Sequence, residues 1–288
     1  MGGNMSDSAT APEAEDVGNI VGLEHVNLTV PDQSTATAFY LSALGGTRDP
    51  YLMVGVENMW VNLGDQQFHL PTSEAQRLRG HVGLVTPSLD TLRERLSGVE
   101  ERLSGTEFGW WDKGCCIEVT GPWGNSFRCY DAGSRKFGEM SLGIPYVEFD
   151  VPAGSSAGIA TFYRQVMGAP TEMSDGMARV SVGAGQELRF NESHGEIPEY
   201  DGHHIAIYVA GFSGPYGALA ERGLITEEIR NHQFRFQQIV DPESGEGLFE
   251  IEHEVRSMKH PMYGRDLVNR NPGQDLGAYV RGGDAVYL

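Results

Sequence analysis

The chain is short of cysteine, short of positive charge and without any long apolar run. Its three cysteines, Cys115, Cys116 and Cys129, are too few and too clustered for a disulfide framework, and no CxxC pair offers a zinc motif. A reducing compartment is the expectation. Lysine and arginine total 21 against 40 acidic residues, a formal charge of −19, which repels nucleic acid and anionic lipid. Neither is an expected partner. No apolar stretch approaches the length of a membrane span. Residues 1–20 are small, polar and acidic, without the basic start and apolar core of a secretory signal. The expectation is a cytoplasmic protein with a disordered tail over 1–20. GxGxxG, P-loop, GxSxG and HExxH motifs are all absent, which counts against nucleotide cofactors and against serine or zincin hydrolysis.

What the chain does have is glycine, 38 residues of it, and a strand that recurs. Around His204 the residues Ile205, Ile207 and Val209 alternate with His204, Ala206 and Tyr208, the period of a strand with one buried face. His204 then stands on the face away from the apolar core. The same strand opens at His25 and at His81, and a fourth version carries Tyr146 where the others carry histidine. Each opens a unit of strand, helix and three strands. In the first unit a strand over 22–31 precedes a helix over 34–44 and short strands near 51–55, 58–63 and 66–71. The second unit places a helix from Leu89, with Ser88 as its N-cap, before strands near 106–111, 114–120 and 125–130. A linker over 132–142 follows, and the last hairpin joins strands 233–240 and 248–254.

The halves match. Phe39-Tyr40-Leu41-Ser42-Ala43-Leu44-Gly45 parallels Phe162-Tyr163-Arg164-Gln165-Val166-Met167-Gly168. The pairs His25/Tyr146, His81/His204, His69/Arg189 and Arg128/Glu250 are separated by nearly equal lengths of chain. Residues 21–131 are expected as one domain of two units and 143–255 as a second, with 256–288 as an extended C-terminal arm on the body or on a second subunit.

The His-bearing first strands, the Phe-Tyr helices and the hairpins ending in Phe127-Arg128 and Phe249-Glu250 resemble the vicinal oxygen chelate superfamily, which includes glyoxalase I, type I extradiol dioxygenases and bleomycin-resistance proteins. The resemblance covers about residues 22–254. It implies an α+β fold of four βαβββ modules, paired into two domains whose mixed sheets curl into cups. It also implies metal ligands on the first and last strands of the two modules that form each cup. Carried over, the first half presents His25, His69, His81 and Arg128, and the second presents Tyr146, Arg189, His204 and Glu250.

In the first half, three imidazoles suit a divalent metal (Fe, Zn, Mn or Ni) with a position open for substrate. Arg128 would clamp an anionic substrate beside the metal, and Glu118 would serve as a base. The bland alternative for each histidine is a hydrogen-bonded core or surface residue. In the second half, His204 and Glu250 form a thinner ligand set, because Tyr146 replaces a histidine and Arg189 brings positive charge. Without metal, His204 oriented by Glu250 would act as a general acid/base, with Arg189 holding the substrate. Cys115 and Cys116 sit on a strand, and buried structural thiols are the plainer reading. The resemblance thus implies a metal-dependent glyoxalase-, isomerase- or lyase-like enzyme acting on a small oxygen-rich molecule, possible as a homodimer. An extradiol-type dioxygenase and a non-catalytic resistance protein are the rivals.

Overall fold

The computed structural model describes residues 17–52, 55–230 and 232–270. The first module comprises β1 (Ile20–Asn27), helix α1 (Gln33–Ala36, continuing as a wider π turn over Thr37–Ala43), β2 (Thr47–Arg48), β3 (Asn58–Leu63) and β4 (Gln66–Pro71). The second comprises β5 (Gly80–Thr86), α2 (Leu89–Val99), β6 (Gly109–Asp112), β7 (Ile117–Thr120) and β8 (Ser126–Asp131). The third has β9 (Gly143–Pro152), α3 (Ser156–Phe162, continuing over Tyr163–Met167), β10 (Thr171–Ser174), β11 (Met177–Ser181) and β12 (Glu187–Ser193). The fourth has β13 (His204–Val209), α4 (Ser213–Glu221), β14 (Ile225–Ile229), β15 (Gln233–Val240) and β16 (Gly247–Ser257). Asp32 and Ser88 accept from the backbone N–H groups of Thr35 and Thr91 and so start α1 and α2.

The modules form two eight-stranded mixed sheets, as the resemblance implies, but not in the expected pairs. One sheet runs β14-β15-β16-β13-β1-β4-β3-β2, and the other runs β10-β11-β12-β9-β5-β8-β7-β6. The first module therefore shares a sheet with the fourth, and the second with the third. Antiparallel pairing of first strands, β1 with β13 and β5 with β9, makes each join. Consecutive modules meet through their apolar faces instead. Phe39 of α1 packs against Phe127 of β8, ring centroids 5.4 Å apart, and Phe68 of β4 lies 6.0 Å from the same ring. Burying each such ring stabilises the fold by roughly 1.5–3 kcal/mol, so the apolar contact between the two sheets holds consecutive modules together. The opposite faces of the sheets form the cups.

Two further expectations change. The strand expected near 51–55 is the short pair Thr47–Arg48, and residues 53–54 lie outside the described residues. The last strand runs on to Ser257, so Arg256 belongs to the sheet and the arm begins after it. The described part of the arm, 258–270, crosses the first sheet. Arg265 makes a buried ion pair with Asp49 at 2.7 Å, and Asn62 donates to the Val268 carbonyl at 2.8 Å. The tail over 1–16 and the chain after 270 lie outside the described residues.

Candidate metal centre

Register decides which side chains meet in the cup of the first sheet. His25 lies opposite Ala206 on β13 and Gln67 on β4; Asn27 lies opposite His204 and His69. Across β16, Ala206 faces Glu254 and His204 faces Glu252. Three histidines from three strands thus converge: ligand nitrogens of His25, His69 and His204 lie within 4.8 Å of one another. The Nε2 atom of each is buried and has no hydrogen-bond partner. Orphaned polar atoms are rare in folded proteins, and three on one cluster of imidazoles fit a metal. Tetrahedral zinc needs nitrogens about 3.3 Å apart, given Zn–N bonds of about 2.0–2.1 Å, a small inward adjustment from this arrangement.

Neighbouring groups set the orientation of each ring. A β-bulge between Leu23 and His25 inserts Glu24 into β1. The Glu24 carboxylate accepts from His25 Nδ1 at 2.8 Å, which leaves the Nε2 lone pair for a ligand bond. Burial works to raise the Glu24 pKa, but Arg256 and His25 outweigh it and bring the carboxyl down to about 2. His69 stacks on Trp60, with centroids 3.9 Å apart and planes 14° apart. Burial, with His25 and Arg256 adding to it, pushes His69 down to about 2, and burial likewise holds His204 well below the usual range. Both rings are neutral, the state a metal requires.

Glu254 was not among the residues singled out in the sequence, yet its Oε2 lies 3.7 Å from His204 Nε2. Arg235 holds that oxygen at 2.6 Å, and Arg256 pairs with the other oxygen and with Glu24. Glu252 sits 3.4 Å from His204 Nδ1 and takes its own bond from Arg235 at 2.9 Å. Glu250 stands at the wrong place for this cluster. It accepts from Gln237, its backbone carbonyl from Arg79, and Glu254 lies about 13 Å further along the strand.

The other expected residues form the second cup. Tyr146 occupies the place of His25, Arg189 that of His69, His81 that of His204 and Arg128 that of Glu254. His81 is therefore not a partner of His25 and His69, and Arg128 does not stand beside them. The Tyr146 hydroxyl is 3.0 Å from His81 Nε2 and 3.0 Å from the Tyr130 hydroxyl, and the Arg189 guanidinium covers its ring at 3.8 Å. Burial, with Arg128 and Arg189 adding to it, pushes His81 down to about 3. Gly83 makes room for the tyrosine, since a Cβ there would meet the ring at 2.3 Å. Cys116, Tyr130 and Tyr146 pack with Phe137 and fill the cup, and Glu118 pairs with Arg128 at 3.5 Å and with Lys113. Two arginines facing this cup oppose a cation there. The three cysteines are free thiols, Cys115 exposed and the others buried.

A cavity of about 850 Å³ is bounded by Glu24, Gln67, Tyr208, the linker at Met140, the turn at Gln186 and the arm at Met262 and Arg265. Glu24 precedes His25 and Gln67 lies opposite it on β4, but none of the three histidines lines the cavity. No helix among the described residues is long and apolar enough to cross a membrane.

No family model and no curated protein sequence matches the chain. Solved structures do. A provisionally assigned dioxygenase from Bacillus subtilis aligns with a TM-score of 0.56 at 15% identity, over 84% of this chain and 86% of its own. Glyoxalase I from Zea mays aligns with a TM-score of 0.54 at 14% identity, over 82% of this chain and 92% of its own. At these identities the likeness is one of fold, and the fold is that of the vicinal oxygen chelate proteins.

Proposed function

We propose that this chain is a metal-dependent enzyme acting on a small oxygen-rich molecule, with one working site in the cup of the first sheet. The observation that carries the reading is the cluster of His25, His69 and His204, with a ligand nitrogen of each within 4.8 Å of the others and all three Nε2 atoms buried and unpartnered. Glu254 is the fourth protein donor in this reading. A divalent ion there (iron, zinc, manganese or nickel) would supply Lewis-acid stabilisation of an enolate or related oxyanion on two neighbouring substrate oxygens.

The chain's own groups prepare the site. Glu24 keeps the proton on His25 Nδ1, Trp60 fixes the plane of His69, and Arg235 holds Glu252 and Glu254 against the ring of His204. The cavity bordered by Glu24 and Gln67, both neighbours of His25, is the candidate space for the substrate. Arg128 stands in the other cup and so does not clamp an anionic substrate beside these histidines. Arg235 and Arg256, the arginines nearest the cluster, are already paired with carboxylates.

Extradiol-type oxygenation is the second reading, and one observation favours it. The histidines with Glu254 contain the two-histidine, one-carboxylate set that suits non-haem Fe(II). The tyrosine that counted against such a site stands in the other cup. Oxygen dependence separates the readings. Lewis-acid isomerisation or lysis proceeds at an unchanged rate under strict anaerobiosis, as we expect here, whereas loss of turnover without O2 would replace that reading by the oxygenase.

A further inference from the structure

A smaller pocket of about 240 Å³ lies where α2 begins and the described arm ends. Its polar lining is Thr86, Ser88, Thr91, Arg95 and Arg270, with Leu142 on the apolar side and no carboxylate among its lining residues. In a chain with 40 acidic residues against 21 basic, two arginines in an acid-free pocket stand out. Arg235, Arg256 and Arg265 are paired with carboxylates; here Arg95 is half-buried and Arg270 exposed. Arg95 and Arg270 make no hydrogen bond or ion pair with any described residue. Their like charges repel, and Arg270 accordingly pulls the Arg95 pKa down after burial has begun to do so. Gly45 admits the Arg95 guanidinium, because a Cβ there would meet Nη1 at 1.8 Å.

Two guanidinium groups lining one pocket, with hydroxyls beside them, match an anion with several oxygens. The Ser88 hydroxyl accepts from Thr91 N–H and keeps its own proton to donate. Asp131 takes the Leu89 N–H at 3.0 Å but does not line the pocket. The volume is below that of a drug-sized site, which limits the ligand to a small one. We propose that this pocket binds a small multivalent oxyanion, of which inorganic phosphate is the simplest, between Arg95 and Arg270. Such a ligand would also tie the arm to the body, since Arg270 follows Val268, whose carbonyl is held by Asn62. The proposal does not rest on the metal reading.

Equilibrium dialysis of the full chain against inorganic phosphate at low salt tests it. Saturable binding of one phosphate per chain is expected, weakened about tenfold or more in both R95Q and R270Q, with bound metal and melting temperature unchanged. Non-saturable uptake, or equal affinity in wild type and both variants, would overturn the proposal. Binding that survives R95Q and R270Q but disappears in H204A would place the anion at the histidine cluster and overturn it too. So would binding seen only in the D275N/D284N double variant, which would assign the pocket to the chain's own C-terminal carboxylates.

Discussion

Alanine at His204 is expected to strip the protein of its metal, while alanine at His81 leaves the metal in place. The two residues are matched controls. Each is the first-strand histidine of its module, and they are 7% and 8% exposed. Their surroundings differ: His204 meets His25 and His69, whereas His81 meets Tyr146 and Arg128. Losing a residue that only orients a ligand weakens metal binding about 10–100-fold, so loss of a ligand itself should exceed about 100-fold. Elemental analysis of the two variants, purified in parallel, reads the difference. Equal metal in both would remove His204 from the site, and loss in H81A alone would restore the cup expected from consecutive modules.

The second large effect is expected at Arg256. Its guanidinium lies between Glu24 and Glu254, and the three side chains are 6%, 8% and 3% exposed. Removing one partner from a buried ion pair leaves the other charge without compensation, typically at a cost of about 3–5 kcal/mol. R256A should lose that much in denaturant unfolding of the metal-free protein. A loss under about 1 kcal/mol, the range of exposed pairs, would mean that water reaches the network. Acid should act in the same direction. The folded-state pKa of Glu24, lowered from 4.5 to about 2, gives stability that is present above about pH 4.5 and lost as pH falls toward 2. Wild type should show that loss, and R256A much less of it.

The fold was legible because its signals are local. Alternation around His25, His81, Tyr146 and His204 marks the first strands, and the Phe-Tyr helices mark the repeat. Alternation also says which residues face a cup, and His25, His69 and His204 do face one. It carries nothing about which modules share a sheet, because that depends on long-range pairing of β1 with β13 and β5 with β9. The consequence was a histidine assigned to the wrong partners. Glu254 was missed for a related reason. Glu250, Glu252 and Glu254 alternate with Ile251, His253 and Val255, so every one of them satisfies the cup-facing pattern. Matching the two halves by equal chain length selects Glu250. The fourth module's last hairpin is longer than the second's, and only the pairing of Ala206 with Glu254 sets the register. His253, between two of these glutamates, points the other way and bonds the Tyr163 hydroxyl in the core.

X-ray absorption at the metal edge, on protein purified without added metal or affinity tag, tests the central claim most directly. The expected result is near-stoichiometric metal with three imidazoles and at least one oxygen donor in its first shell. A first shell with fewer than three imidazoles, or protein that holds no metal and takes up no added divalent ion, would contradict the account.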